Sequence, residues 1–295
     1  MTSNEIVNAR IESCSIGYES HGIMITNAWD SFKALNAERE AKALAPRKVI
    51  AVWFSCGAAS AVAAKKTIEK YGATHTIRVL NNPVAEEHPD NIRFKDDVAK
   101  WLGVEVEAVI NPSYPSCSAE EVWDDRAFMS GIHGAPCTLL LKKEARRKWE
   151  MTNQCDYHVL GFTADEPKRY KDFLKERPNT LPILIEQGIK KSDCFRIIRE
   201  AGIALPEIYN LGYPNANCIG CVKATSPTYW NHVRKQHPDV FNRRAEQSRE
   251  LGVRLARHKN VRVFLDELPP DAKGRPMKDM NFECGIFCGK DTCDE

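Results

Sequence analysis

The sequence predicts an α/β fold built on a doubly wound, mostly parallel five-stranded sheet, followed by a helical C-terminal extension and a cysteine-rich tail. Three observations lead there. A compact apolar run, Val49 to Phe54, is followed at once by small residues and a helix-forming stretch through Lys66. Short β-prone runs then alternate with helical patterns of about 10 to 15 residues, the mark of βαβ units and a parallel sheet. Beyond Cys221 that alternation gives way to helices.

Taken in order, residues 1–46 read as an N-terminal appendage with a charged helical run from Phe32 to Leu44, ended by Pro46. Residues 47–225 read as an α/β domain that ends with the Cys218-x-x-Cys221 segment. After the strand at Val49–Phe54 come a strand near His75 to Leu80, a helix from Pro89 to Leu102 and a strand at Val104 to Ile110. A helix from Thr138 to Met151 and a strand at Tyr157 to Gly161 follow. Ligands of such sheets lie beyond the carboxyl ends of the strands. The loops after Phe54, Leu80, Ile110 and Gly161 should therefore converge on one crevice. Residues 226–295 supply helices at Pro227–Gln236 and Pro238–Leu255, a Pro/Gly/Asp-rich stretch from Leu268 to Pro276, and the tail.

The 295 residues carry 42 Lys and Arg against 40 Asp and Glu, a formal net charge of +2. No global field therefore marks a nucleic-acid or membrane binder. Met1 to Glu5 lacks the basic and then apolar run of a secretory signal, and no stretch approaches the roughly 18 apolar residues of a membrane span. A cytoplasmic location and no membrane partner are expected. In a reducing compartment, eleven cysteines point to metal or redox chemistry rather than disulfide staples.

The loop Ser55-Cys56-Gly57-Ala58-Ala59-Ser60 between strand and helix is the first candidate site. Small residues let backbone N–H groups approach an anion, and the helix N-terminus adds partial positive charge. Ser55 and Ser60 bring two further donors. The alternative is an ordinary tight turn.

This loop resembles the PP-loop of the adenine-nucleotide α-hydrolase superfamily, whose usual form is Ser-Gly-Gly-x-Asp-Ser; Cys56 stands at its second position and Ala59 at the aspartate. Loss of that carboxylate favours binding a sulfate or phosphate over cleaving ATP. Three further segments resemble the sulfonucleotide reductase branch: Glu86-Glu87-His88-Pro89-Asp90, with Arg93 and Phe94; Ile208 to Pro214 followed by Cys218-Ile219-Gly220-Cys221; and Glu283-Cys284-Gly285-Ile286. The resemblance implies an adenine nucleotide, adenylylsulfate or its 3′-phospho form, bound at Ser55, Cys56, Gly57, Ala58 and Ser60. It further implies anion contacts from Lys168 and Arg169, a catalytic Cys284, and a thiol reductant protein such as thioredoxin.

Cys218-x-x-Cys221 has the spacing of a bidentate metal ligand, read alone as zinc, an iron–sulfur cluster or a redox dithiol. Cys137, at a helix start, is a third candidate, because that position favours the thiolate. In the cluster-containing reductases the ligands are a Cys-Cys pair and a Cys-x-x-Cys. Here Thr138 replaces the second cysteine of the pair, so a 4Fe-4S cluster would take Cys288 as its fourth ligand or keep an open iron. Zinc on the same thiols is the alternative. Cys284 reads as nucleophile or, in a tail that only ligates metal, as one thiol among several. Cys14, Cys117, Cys155 and Cys194 read as structural thiols.

Asp165 and Glu166 suggest either an altered substrate or acids at a helix N-terminus. His133 reads as a loop histidine with a possible role beside substrate or cluster. Lys142, Lys143, Arg146 and Arg147 read as a basic helix face that is either simply solvated or, beside an anionic pocket, an aid to steering. Trp230, Arg234, Arg243 and Arg244 are either a local nucleic-acid surface or a charged helical pair around one packed Trp. Two other functions stand beside the reductase: an ATP-dependent sulfurtransferase or modifying enzyme acting on nucleic acid or a nucleobase, and a non-catalytic nucleotide or metal-binding module. Assembly as a homo-oligomer is open.

Overall fold

The computed structural model describes residues 30–37, 46–131 and 134–277. The chain divides into two compact units, Met1–Arg47 and Lys48–Glu295. In the first, residues 30–37 are helical, inside the charged run read from sequence. In the second, strands β1 (Val49–Trp53), β2 (Thr76–Asn81), β3 (Val106–Ala108), β4 (Tyr157–Val159) and β5 (Thr180–Leu181) form one sheet. Their order is β3-β2-β1-β4-β5, and every pairing is parallel. The expected α/β class with a five-stranded parallel sheet is therefore what the chain adopts.

Strand β1 is central and buried along its whole length, as an unbroken apolar run requires when both sheet faces are covered. Its side chains alternate between two cores. Ile50 and Val52, continued by Phe54, pack with α1 (Ala58–Tyr71), α2 (Asp90–Leu102) and α7 (Lys191–Glu200) through Ala61, Ala64, Phe94, Val98 and Ile198. Ala51 and Trp53 point the other way, onto Ala145 and Trp149 of α4 (Ala145–Thr152) and Phe173 of α5 (Pro167–Leu174). Asp156 fixes the entry to β1 by accepting the Val49 N–H at 2.7 Å.

Between β3 and β4 lie α3 (Ala119–Arg126) and, leading into α4, a π-helix over Thr138–Glu144. The expected helix from Thr138 to Met151 is present, but its first half is wound more loosely. Helix α3 is not among the elements expected, although its signal is in the sequence: Ser118 Oγ accepts the Glu121 N–H at 3.2 Å, the Ser-x-x-Glu capping pattern. Helix α6 (Ile183–Glu186) and helix α8 (Glu207–Asn210) are single turns.

The C-terminal extension begins as expected with α9 (Pro227–Gln236), followed by α10 (Pro238–Glu250). The second helix is shorter than the expected Pro238–Leu255, because Gly252 turns the chain out in a left-handed conformation, φ +67°. Residues 256–263 instead make an antiparallel ribbon, β6 (Ala256–His258) with β7 (Val261–Val263). Its turn residues Lys259 and Asn260 both have positive φ, 48° and 65°, as a two-residue hairpin of the right twist demands. Trp230 is buried and donates its indole N–H to Ala224 O at 2.9 Å. Arg234 caps the carbonyls of Leu265 and Leu268, and Arg244 is fully buried over the Trp123 ring with Glu120 at 3.1 Å. These residues are packing elements; Arg243, half exposed, pairs with Glu120 at 3.3 Å. The cysteine-rich tail lies outside the described residues.

Candidate functional site

The carboxyl ends of β1, β2 and β3 are stitched together by two asparagines at the end of β2. Asn81 donates to Phe54 O at 2.8 Å and Asn82 to Val109 O at 2.7 Å. After β4, Gly161 lies so close to α1 that a Cβ there would sit 2.7 Å from Ser60 N and 2.9 Å from Ala59 C. The loop Ser55–Ser60 is thus held from both sides. Inside it, Ser60 Oγ donates to Gly57 O at 2.9 Å and accepts the Ser55 N–H at 3.2 Å. Ser55 Oγ stands 3.2 Å from Ser60 Oγ; Ser55 is exposed and Ser60 buried. Much of Ser60's capacity braces the loop.

Cys56 adopts a left-handed backbone, φ 54°, a conformation that a side chain with a Cβ adopts at a cost and glycine without one. Gly57 is the N-cap of α1 and no side chain caps the helix. The first helical bond runs from Ala61 N to Gly57 O at 3.1 Å, and Ala58 N donates to Tyr209 Oη at 3.4 Å. Among the described residues, the N–H groups of Gly57, Ala59 and Ser60 have no acceptor. Three donors at a helix start, with the helix partial charge behind them, are an anion-binding arrangement. Burial, with the negative charge of Glu87 adding, pushes the Cys56 thiol up to about 12. It serves the loop as a neutral packed group, not as a thiolate.

Below the loop is a pair that differs from its sequence reading. Lys142 and Lys143 on the π-helix are buried, and so is Arg146 on α4. They are not the solvated face expected of four cations in six residues. Lys142 Nζ lies 3.4 Å from Glu87 Oε1, and both side chains are only 9% exposed. Glu87 Oε2 also accepts the Asn91 amide at 3.1 Å. Burial raises the Glu87 carboxyl, opposed by Lys142 and Asn91. Glu86 points elsewhere, capping α3 through Ser118 Oγ, Ala119 N and Glu120 N. Arg93 is spent on Asp90, Asp97 and the carbonyls of Ala204 and Leu205.

Lys168 is exposed on the first turn of α5. Arg169 pairs with Glu166 and stacks over Phe162, 5.1 Å to the ring centre. Glu166 is the N-cap residue of α5 and Asp165 accepts the Lys191 N–H at the start of α7, 2.9 Å away. Asp165 therefore serves a helix N-terminus, whereas the Glu166 carboxylate makes no cap bond and is held by Arg169 and by the Thr163 N–H and hydroxyl. Lys191, absent from the sequence candidates, sends its ammonium to Pro214 O at 2.7 Å and Asn215 Oδ1 at 2.8 Å, and burial lowers its pKa.

Cys137, at the start of the π-helix, and Cys218 and Cys221 all belong to one apolar cluster. Gly220, φ +69°, turns the chain between the last two. Tyr229 anchors that turn: its hydroxyl accepts the Cys221 N–H at 2.8 Å and lies 3.4 Å from Cys218 O. Among the described residues, no three His, Cys, Asp or Glu side chains stand in metal-ligating positions. The candidate ligand Cys288, the candidate nucleophile Cys284, and also His133 and Cys14, lie outside the described residues. Of the thiols read as structural, burial raises Cys117, takes Cys155 to about 11 and Cys194 to about 12. Cys155 is not isolated, since its sulfur is 3.5 Å from His158 Nδ1.

A cavity of about 630 Å³, lined among others by Glu121, Asp124, Asp125 and Glu144, includes none of the loop residues. Its acidic wall disfavours an anionic ligand. No protein-family model and no curated protein matches the chain. No helix among the described residues is long and apolar enough to cross a membrane.

Proposed function

We propose that the chain is a sulfonucleotide reductase-like enzyme of the adenine-nucleotide α-hydrolase type, taking adenylylsulfate or its 3′-phospho form. The observation that carries this reading is the backbone of the loop. Cys56 occupies the position at which the PP-loop pattern has glycine, and it holds the left-handed φ of 54° that explains glycine there. The unsatisfied N–H groups of Gly57, Ala59 and Ser60 follow directly and would take the anionic oxygens. Ser55 adds a hydroxyl at the exposed rim. Lys168 is open to solvent and would assist; Arg169 would have to leave Glu166 to do so.

Cys284 would act as nucleophile. Its thiolate attacks the sulfur of the sulfonucleotide, a sulfur–sulfur bond forms, and the sulfur–oxygen bond breaks with AMP, or its 3′-phospho form, leaving. An external thiol, the reductant, then attacks the cysteine sulfur and expels sulfite; a second thiol resolves the mixed disulfide and restores Cys284. Two external thiols are oxidised for each sulfite formed. Cys137, Cys218 and Cys221, with Cys288, would hold a 4Fe-4S cluster beside the site. The Gly220 turn between Cys218 and Cys221 supports that pair. A bound cluster supplies a redox-capable iron–sulfur centre, whereas zinc on the same thiols supplies a structural tie.

Incubating the protein with adenylylsulfate and no external thiol is expected to leave one sulfonate group on Cys284. Intact mass and peptide mapping read it directly. Cys284→Ser is expected to abolish both the adduct and AMP release; an adduct that survives in this variant would show that the nucleophile lies elsewhere.

A further inference from the structure

We infer that Glu87 holds Lys142 while the loop is empty, gives it up to the bound anion, and takes up a proton when it does so. This rests on the reading of the loop as an anion cradle and adds a coupling that the reading does not require.

The geometry is that of a held charge. Glu87, in the segment between β2 and α2, and Lys142, on the π-helix, meet at 3.4 Å with both side chains 9% exposed. They lie within electrostatic reach of the loop: the charges of Glu87, Lys95 and Lys142 all act on the Cys56 thiol. A buried ion pair is seldom a net source of stability, because two desolvation penalties oppose one attraction. One placed at an anion cradle has another use. The cation is already dehydrated and in position, and its carboxylate partner keeps it compensated until a ligand arrives.

When a sulfate or phosphate group occupies the loop, Lys142 gains a second anion to serve. If its ammonium turns there, Glu87 is left as an uncompensated buried carboxylate, the state most strongly disfavoured in a low-dielectric site. Protonation from solvent removes that charge. The surroundings suit the neutral form. Facing Glu87 are Lys142 from the π-helix and the Asn91 amide from α2, with Glu86 acting from its own segment; the Cys56 thiol of the loop also feels its charge. Asn91 is 6% exposed and its Oδ1 is buried without a hydrogen-bond partner. Protonation of Glu87 puts a donor beside that amide. The carbon skeletons are unchanged in this step: one proton moves from buffer to carboxylate, and Lys142 keeps its own.

Calorimetric titration of the full-length Cys284→Ser protein, which cannot take the sulfonate and so only binds adenylylsulfate, in two buffers of different ionisation enthalpy, counts the protons taken up; the Glu87 and Lys142 variants are made in the same background. The ligand itself does not titrate between about pH 6 and about pH 8.5, and neither does an ordinary carboxylate. The expected result is an uptake that approaches one proton per ligand within this range, with affinity falling up to about tenfold per unit rise in pH. Glu87→Gln should abolish the uptake and flatten the profile. Lys142→Gln, which removes the exchanged cation and leaves Glu87 protonated from the start, should also bring uptake to zero. Equal heats in the two buffers at every pH, or uptake that persists in Glu87→Gln, would overturn the inference while leaving the cradle intact. If adenylylsulfate does not bind the Cys284→Ser protein at all, the cradle reading fails, and the coupling fails with it.

Discussion

Replacing Gly161 by alanine is expected to destabilise the fold by about 3 kcal/mol, the upper end of what overpacking costs, and to abolish the anion binding proposed for the loop. A methyl group at 161 would stand 2.7 Å from Ser60 N and 2.9 Å from Ala59 C. These atoms are backbone, in the first turn of a helix whose small residues are buried against the sheet, and cannot swing aside as a side chain would. Either α1 moves off β4 or β4 leaves its register with β1. Both displace the amides that form the cradle. Gly57→Ala is the control, because its added carbon meets nothing closer than Tyr209 Oη at 3.4 Å. Urea unfolding of the two variants separates the cases: a shift at Gly161 no larger than at Gly57 would show that the close approach is unimportant.

The second large effect is acid sensitivity on the opposite face of the sheet. His158, on β4, is buried, and its Nδ1 accepts the Trp53 indole N–H at 3.2 Å. Burial lowers its pKa from 6.5 to about 4, with Glu150 opposing and Arg146 and Arg177 adding to the shift. The folded protein therefore keeps this imidazole neutral where the unfolded chain binds a proton. Its contribution to stability is complete above about pH 6.5 and is lost as pH falls towards 4, for a total of roughly 3 kcal/mol. His232 and His237, also lowered by burial, act in the same direction. Denaturant midpoints at about pH 7 and about pH 4.5 should differ markedly in the wild type and less in His158→Gln, which retains an acceptor for Trp53. An unchanged pH slope in that variant would assign the acid sensitivity to other groups.

The parts of the fold that sequence makes legible are those whose signal is local. Val49 to Phe54 must be a central strand because an unbroken apolar run has no face to give to water, and the small residues after it must turn into a helix that packs closely. Strand β5 is only Thr180 and Leu181, too short to carry any period, and exists because His158 and Val159 offer it an edge. Lys142 illustrates the harder case. A lysine beside three other cations looks solvated in sequence, and its tertiary meeting with Glu87, 55 residues away, helps make its burial tolerable. The π-helical winding that carries it has no residue signature at all. By contrast, the ribbon at Ala256–Val263 and helix α3 do have local signals, an Asn in a two-residue turn and a Ser-x-x-Glu cap, which are weak enough to be outweighed by the helical pattern around the first and the loop-like composition around the second.

The reading of the cysteines depends on residues that the fold itself does not decide. The described thiols divide by environment: Cys56, Cys155 and Cys194 are pushed to about 11 or 12 by burial and are poor nucleophiles, while Cys218 and Cys221 line a glycine turn tied down by Tyr229. The proposed attack at sulfur is placed on Cys284 and not on these buried thiols. The measurement that tests this most directly is sulfite release by anaerobically purified, metal-replete protein supplied with a dithiol reductant and either adenylylsulfate or its 3′-phospho form. The account predicts sulfite and the matching nucleotide in equal amounts from one of the two substrates; no sulfite from either would contradict it.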